Sequence, residues 1–388
     1  MQQNNDSTSR NADFLIVGGG IAGASMGYFL APHGRCVMLE RESQPGYHST
    51  GRSAAQFIAS YGPPQVRALS RASEPFFVNP PASFGNEAPL LAPRGLLTVA
   101  GPDEMAHLDE AWATLAQTSP NGRRLSAADA LAMVPVLRAE KVSAAIYEPD
   151  SLDMDVHAIH QGYLRGYRRA GGHLVTDAEV VSARRSSEGL WQVLAADGQA
   201  WAAPVLINAA GAWCDVLARM AGVRPIGLVP RRRSAFTFLP PDGLDTSKWP
   251  LLLAADDSFY MKPDAGALLA SPVNADATHP QDVRPEEMDI TMGMHAIETW
   301  TTLCPRPSHT WAGLRSFVAD GDLVGGFDPT EPGFFWCAGQ GGYGIQTSAA
   351  MGEACAALAR GQALPGHLAA CGLTQDMLSP ARATLVQP

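Results

Sequence analysis

Four apolar residues, Phe14 to Val17, run directly into three glycines and then into a stretch with the look of a helix. A run apolar at every position predicts a strand buried on both faces, as in a parallel sheet. The pattern predicts a strand over 13–17, a helix over 21–32 and a second strand over 36–40, together a βαβ unit of about 30 residues. The segment ESQPGYHSTGRSAAQF follows as a Gly/Ser-rich loop expected to lead into a helix, and 63–76 carries helical periodicity. Residues 80–95 are irregular and proline-rich, where the chain is expected to leave its first domain. Helices are expected over 126–134 and 155–170, the second capped by Asp153 or Asp155. A strand, a hairpin and the buried strand VLINAAG come next, then two antiparallel strands within 250–272 and a helix over 285–300. The segment GFFWCAGQGGYGIQTSAAMGEACAALARG repeats the opening theme of strand, glycine loop and helix.

Nucleotide-type elements thus sit at both ends and in the middle, with β-rich material between them. The fold class expected is α/β, a two-domain protein with a discontinuous Rossmann-type dinucleotide domain and a substrate domain on an antiparallel sheet. The boundaries read are a disordered leader over 1–12, a dinucleotide domain over 13–90, 146–224 and 311–388, and a substrate domain over 91–145 and 225–310.

Gly18, Gly20 and Gly23 match GxGxxG around Ile21 and Ala22. The first glycine permits the tight turn, the second lets backbone approach a pyrophosphate, and the third lets the helix pack on its strand. The helix start offers free N–H groups and a positive dipole end to phosphate. Glu40, closing the second strand, is placed to accept from a ribose hydroxyl, and its carboxylate would repel the extra phosphate of NADP. NAD and FAD share this fingerprint. The glycine-rich junction near the other end suits FAD, whose isoalloxazine ring lies far from the first turn. A helix start at 341–346 would direct N–H groups at that ring and favour its reduced, anionic form.

Composition narrows the class. Across 388 residues, 46% hydrophobic and 17% charged, the chain can bury a large core. A net charge of −10 argues against nucleic acid as partner. Six scattered cysteines form no zinc or redox pattern, and no apolar run approaches the roughly 20 residues of a membrane span. A cytoplasmic enzyme is expected. His48, His157, His160 and His309 draw attention as acid–base groups, and His157 and His160 as a metal pair, but without a third ligand they read as structural or surface residues. Lys262 is expected near the site rather than in the chemistry.

The motifs GYHSTGRSAA, LINAAGAWCD, RRRSAFTF, SFYMKPDAG, TWAGLRSFVADGD and GQGGYGIQTSAAMGEA, with the opening unit, resemble the D-amino acid oxidase superfamily of flavoproteins. Within it the motifs resemble those of the bacterial FAD-dependent D-arginine dehydrogenases, over nearly all of the chain after residue 12. The resemblance implies non-covalent FAD. It places Arg315, Arg233 and Tyr260 on the substrate carboxylate, Gly342 and Gln346 near the substrate amine and flavin, and Tyr61 on a loop closing over the substrate. Ser53 and Ala54 would lie beside the isoalloxazine, and the Val180 backbone against adenine. Arg41, Ser49, Thr50, Arg52, Ala210, Gly211, Trp213, Gly341, Tyr343, Gly344 and Ile345 complete the implied cofactor contacts. Arginine forks and a phenol suit that task independently, the forks by two-point grip and the phenol by a directed donor.

Two departures matter. Leu96 stands where the arginine enzymes carry a glutamate for the guanidinium, so a cationic side chain would be buried unpaired. A leucine wall favours an apolar or neutral side chain, by about 1.5–3 kcal/mol on full burial. Glu87 is the other carboxylate the local alignment offers. Gln56 replaces an active-site histidine and cannot titrate. The expected reaction is oxidative deamination of D-amino acids to 2-oxo acids and ammonia, with an electron acceptor such as a quinone, a dye or oxygen. The alternatives are oxidation of a secondary amine or imino acid (sarcosine, glycine or proline), a nicotinamide-dependent dehydrogenase, and a flavin-bound carrier without turnover.

Overall fold

The computed structural model describes residues 11–85 and 88–385. Glu87 and the leader through residue 10 lie outside the described residues. A six-stranded sheet carries Phe14–Val17 near its centre, flanked by Cys36–Leu39 and Val205–Asn208 in parallel. Alternate residues serve two different cores. Phe14, Ile16, Cys36 and Met38 face the helices Ile21–Leu30, Val156–Arg169 and Ser348–Ala359. Leu15, Val17, Val37 and Leu39 face a three-stranded antiparallel sheet that supplies Trp191, Val193 and Trp201. Burial on both faces is why these strands read as unbroken apolar runs.

The second layer is a nine-stranded sheet, antiparallel throughout except where Leu251–Ala254 runs parallel to Leu96–Ala100. One of its faces packs Leu97, Val99, Leu252, Ala254, Phe236 and Phe238 against residues of the helices Ala127–Met133 and Glu287–Trp300. By the two-residue period of a strand, Leu96, Thr98, Leu251, Leu253, Arg233 and Ala235 must face the other way. That other face is a cavity wall.

Several elements differ from their sequence reading, each for a local reason. The helix expected to reach 32 ends at Leu30 and tightens into a single 3-10 turn containing Pro32, which has no N–H to continue the ladder. The segment after GRSAA enters a short strand, Gln56–Phe57, rather than a helix. Residues 251–271 fold as three strands, since the DAG sequence at 264–266 turns the chain with positive φ at Ala265 and Gly266. Asp155 is the cap of Val156–Arg169, its side chain accepting from Ala158 N–H. The amphipathic helix Met105–Thr118, unassigned in the sequence reading, buries Leu108 and Leu115. The nine-stranded sheet continues to Glu148 and to Phe317, past the expected limits at 145 and 310.

Asp153, not a cap, accepts instead from Lys262 Nζ at 2.8 Å and Arg94 Nε at 2.6 Å. It thereby ties the small sheet containing Gln56 to the large one. Lys262 is 6% exposed, so losing its counterion leaves a cation with little water. Asp153→Ala is expected to lower unfolding stability by about 2–4 kcal/mol, read as a fall in the urea midpoint at unchanged m-value. An unchanged midpoint would show the ion pairs to be incidental.

Candidate active site

The dinucleotide groove starts where the first strand meets its helix. Gly18 has φ +107°, and a Cβ there would lie 2.3 Å from the Ala209 carbonyl oxygen; one on Gly23 would lie 1.9 Å from the Gly18 carbonyl oxygen. No side chain fits at either place, so the strand–helix turn is set by backbone touching backbone. The helix it starts has no side-chain cap and no acidic residue in its first turn. Ile21 N–H donates to Thr50 Oγ1 at 3.0 Å. The peptide of Gly19 is gripped from both sides: its N–H donates to Glu40 Oε2 at 2.8 Å, and its carbonyl lies 2.8 Å from His160 Nε2. That contact needs the proton on Nε2, and burial lowers the His160 pKa, keeping the ring neutral. His160 is thus structural, as expected, but its object is the phosphate loop itself.

A groove of about 240 Å³ opens beside this turn, lined by Gly18, Gly20, Glu40, Arg41, Val180, Ala210, Gly211 and Trp213 among others. The Arg41 guanidinium lies 4.9 Å from the Trp213 ring centre. A helix start whose cap residue offers no side chain, a close-packed glycine turn and an acidic strand end are the donor and acceptor set a dinucleotide needs. Gly23 lies behind the groove, where its role is packing.

The groove shares Ile21, Ser49, Thr50, Leu314, Gln340 and Gly341 with a larger cavity of about 670 Å³, a size typical of ligand sites (about 300–1,000 Å³). Ser53, Ala54, Gly342, Gly344 and Ile345 line it, as do Gln56, Tyr61, Leu96, Arg233, Tyr260 and Arg315. Strands Val229–Phe238 and Pro307–Phe317 pair antiparallel with Arg233 opposite Gly313 and Arg231 opposite Arg315. The two cavity arginines are therefore diagonal neighbours on one face. Arg315 Nη2 donates to Tyr61 Oη at 2.6 Å, and Arg233 Nε to the Asn274 carbonyl at 2.6 Å. Burial first, and then the neighbouring Arg315 charge, push the Arg233 pKa down to about 10. Burial also opposes charge on Arg315, but the surrounding phenols of Tyr61, Tyr260 and Tyr343 outweigh it and raise its pKa. Both groups stay cationic at neutral pH. Two guanidinium forks without a carboxylate partner among the described residues make a site for an anion, and a carboxylate fits their geometry.

Two expected contacts lie elsewhere and a third is already engaged. Gln346 does not line the cavity; it accepts from Ile58 N–H at 3.3 Å and donates to Ser70 Oγ at 2.8 Å, fixing the segment that carries Tyr61. Tyr343 packs edge-on against Tyr61, 5.0 Å between ring centres. Arg52 lines the cavity, but its guanidinium is occupied by the carbonyls of Val283 and Ala312 and by Asp282. The 341–347 segment forms turns, and the helix begins only at Ser348. Sequence reasoning missed Glu148, Arg67 and the mouth residues His107, Glu110 and Asp257, all of which line the cavity. The i, i+3, i+7, i+10 spacing of Met105, Leu108, Trp112 and Leu115 was the legible signal for the mouth helix. His157 and His160 have no third metal-ligating neighbour among the described residues. Nor is any described helix long and apolar enough to cross a membrane.

Comparison with known proteins gives the site a context. The FAD dependent oxidoreductase (DAO) family matches residues 13–358. Mitochondrial dimethylglycine dehydrogenase of Rattus norvegicus is 24% identical over 268 residues, 67% of this chain and 31% of that protein. L-2-hydroxyglutarate dehydrogenase of Escherichia coli (strain K12) is 25% identical over 241 residues, 59% of this chain and 54% of that one. The chain thus spans about a third and about half of these relatives' lengths. Glycine oxidase from Geobacillus kaustophilus has the same fold, with a TM-score of 0.79 at 23% identity over 91% of this chain and 96% of that one.

The turn geometry yields a prediction. Gly23→Ala is expected to give a folded protein that purifies without its dinucleotide, because the added methyl pushes the helix start off the Gly18 carbonyl. The visible absorbance per protein measures it; full retention would show that the turn tolerates displacement.

Proposed function

Because the chain belongs to the FAD dependent oxidoreductase family and takes FAD as its cofactor, we propose that it oxidises D-α-amino acids to 2-oxo acids and ammonia. The observation carrying this reading is the pair of cavity arginines, Arg233 and Arg315, joined to the dinucleotide groove by shared walls. Arg233, Arg315, Tyr260 and Tyr61 hold the α-carboxylate. FAD, held by the groove around Gly18, Gly20, Glu40 and Val180, would supply a two-electron acceptor for the Cα hydrogen. The protein's contribution is chiefly orientation, since a fixed carboxylate leaves the Cα–H few directions in which to point. The amine must be neutral before hydride leaves, and water takes the ammonium proton. The resulting C=N bond is hydrated and ammonia departs. The D configuration rests on the motif resemblance, and the electron acceptor of the reduced protein, a quinone, a dye or oxygen, is a separate partner.

A second reading, oxidation of a secondary amine or imino acid, draws support from the relative that is a dimethylglycine dehydrogenase, an enzyme named for an N-methylated amine. The same carboxylate grip serves either substrate. Anaerobic titration of the yellow protein with D-amino acids, L-amino acids and N-methylglycines separates them. Bleaching by D-amino acids supports the first reading; bleaching by N-methylglycines alone replaces it with the second.

Arg315→Leu removes one fork and leaves Arg233 and the substrate anion incompletely paired, at about 2–5 kcal/mol, or roughly thirtyfold or more in kcat/KM. A loss under threefold (about 0.6 kcal/mol) would refute the grip. The lowered Arg233 pKa predicts a pH limb. The guanidinium is fully charged well below its pKa of about 10 and loses its charge as pH rises through that value. Affinity for a carboxylate lacking an amine should therefore weaken across that range, and Arg233→Leu should abolish the limb.

A further inference from the structure

The turn that follows strand Ala267–Ser271 is strained. Val273 takes φ +55°, a region that a β-branched residue rarely enters. Such strain persists only where neighbours over-determine it, and it gathers at functional sites. Val273 lines the cavity, and the next residue, Asn274, supplies the carbonyl that accepts from Arg233 Nε at 2.6 Å. No other hydrogen bond holds that guanidinium among the described residues.

The neighbours do over-determine the turn. Ser271 Oγ accepts from Val273 N–H at 3.2 Å and donates to the Ser234 carbonyl at 2.7 Å, closing the bend at its start. The Asn274 side chain closes the other end. Its Oδ1 accepts from Ser234 N–H at 2.9 Å, and Nδ2 donates to Asp276 Oδ2 at 2.9 Å and to Asp289 Oδ2 at 3.1 Å. With both ends of the amide committed, its orientation is fixed.

Asp289 is the anchor of this clamp. It is 7% exposed, and the same Oδ2 also accepts from Ser234 Oγ at 2.6 Å and from Arg232 Nε at 2.9 Å. It belongs to the first turn of helix Glu287–Trp300, which packs on the sheet face away from the cavity. Alternate residues of strand Val229–Phe238 therefore serve opposite sides. Arg232 and Ser234 hold the anchor behind the sheet, while Arg233 between them lines the cavity in front.

We propose that Asn274 is a positioning residue for the carboxylate grip, its side chain clamped by Asp289 and Ser234 so that its carbonyl orients Arg233. With Nε committed to that carbonyl, both Nη groups are left to meet the substrate carboxylate. The inference rests on the amino-acid reading for its ligand. It extends the site through the sheet, to side chains that line no part of the cavity.

The test is a double-substitution cycle on the flavin-loaded protein, with caproate binding followed by perturbation of the visible spectrum. Asn274→Ala leaves the carbonyl in the chain and removes only the clamp. It is expected to weaken caproate binding at least about fivefold in the wild-type background and less than about twofold in the Arg233→Leu background. Asp289→Asn keeps the side-chain shape and loosens the same amide; it carries the same expectation and stands alone if the first variant does not fold. Equal losses in the two backgrounds would mean a merely structural clamp and overturn the inference. So would undiminished binding by both variants. Failure of caproate to bind the wild-type protein, or unchanged affinity in Arg233→Leu, removes the grip itself and with it the reading on which the inference rests.

Discussion

Two like charges share one cavity, and the rest of the site is arranged around that conflict. Arg233 and Arg315 are held on adjacent strands without a carboxylate between them, so burial and mutual repulsion both work against their charge. Their hydrogen-bond partners are neutral dipoles, the Asn274 carbonyl for one and the Tyr61 phenol for the other, while the Asp257 carboxylate on the same cavity wall acts on both through space without an ion pair. Such partners steady a guanidinium without neutralising it. The cavity is left with unmet positive potential, which an incoming anion relieves. Selectivity for a carboxylate is thus present before any ligand arrives.

That arrangement has to be registered against a cofactor bound by another sheet, and residues 49–61 do the registering. Along this short segment Ser49 donates to the Leu314 carbonyl and Thr50 accepts from Ile21 N–H. Arg52 reaches the carbonyls of Val283 and Ala312, and the Ala55 carbonyl receives Lys262. Ser60 and Tyr61 then finish on Glu148 and Arg315. Each of these residues bridges two elements distant in sequence, and the segment forms little regular structure of its own. Its irregularity follows from its work, because a helix or long strand would commit to itself the donors and acceptors used here.

The parallel sheet was legible because burial on both faces writes an unbroken apolar run, and the first glycine turn because backbone contact at Gly18 and Gly23 admits no other residue. The arginines and Tyr260 were legible only through motif resemblance; taken singly, RRR reads as a solvated patch and SFY as an ordinary strand. Glu148 was hidden because its place in the cavity wall is a matter of register: nothing in AAIYEP says which strand lies alongside. Gln346 misled for the converse reason, a motif match at a position whose side chain turns toward Ile58 and Ser70. Local pattern reports propensity and period. Cross-strand partnership, on which a cavity wall depends, has no local signature.

The Arg315 guanidinium occupies the space that any side chain at position 342 would need: a Cβ on Gly342 would fall 1.4 Å from Arg315 Nη2. The glycine here is not demanded by its backbone, since its φ lies outside the left-handed region. What crowds it is a neighbour. A methyl at 342 would meet first the far end of that flexible side chain rather than backbone, so it would displace the guanidinium without excluding the arginine. The bareness of position 342 thus governs aim: it leaves the fork in its present line, and a residue there would swing the charge toward another part of the wall while the fold around it stood unaltered.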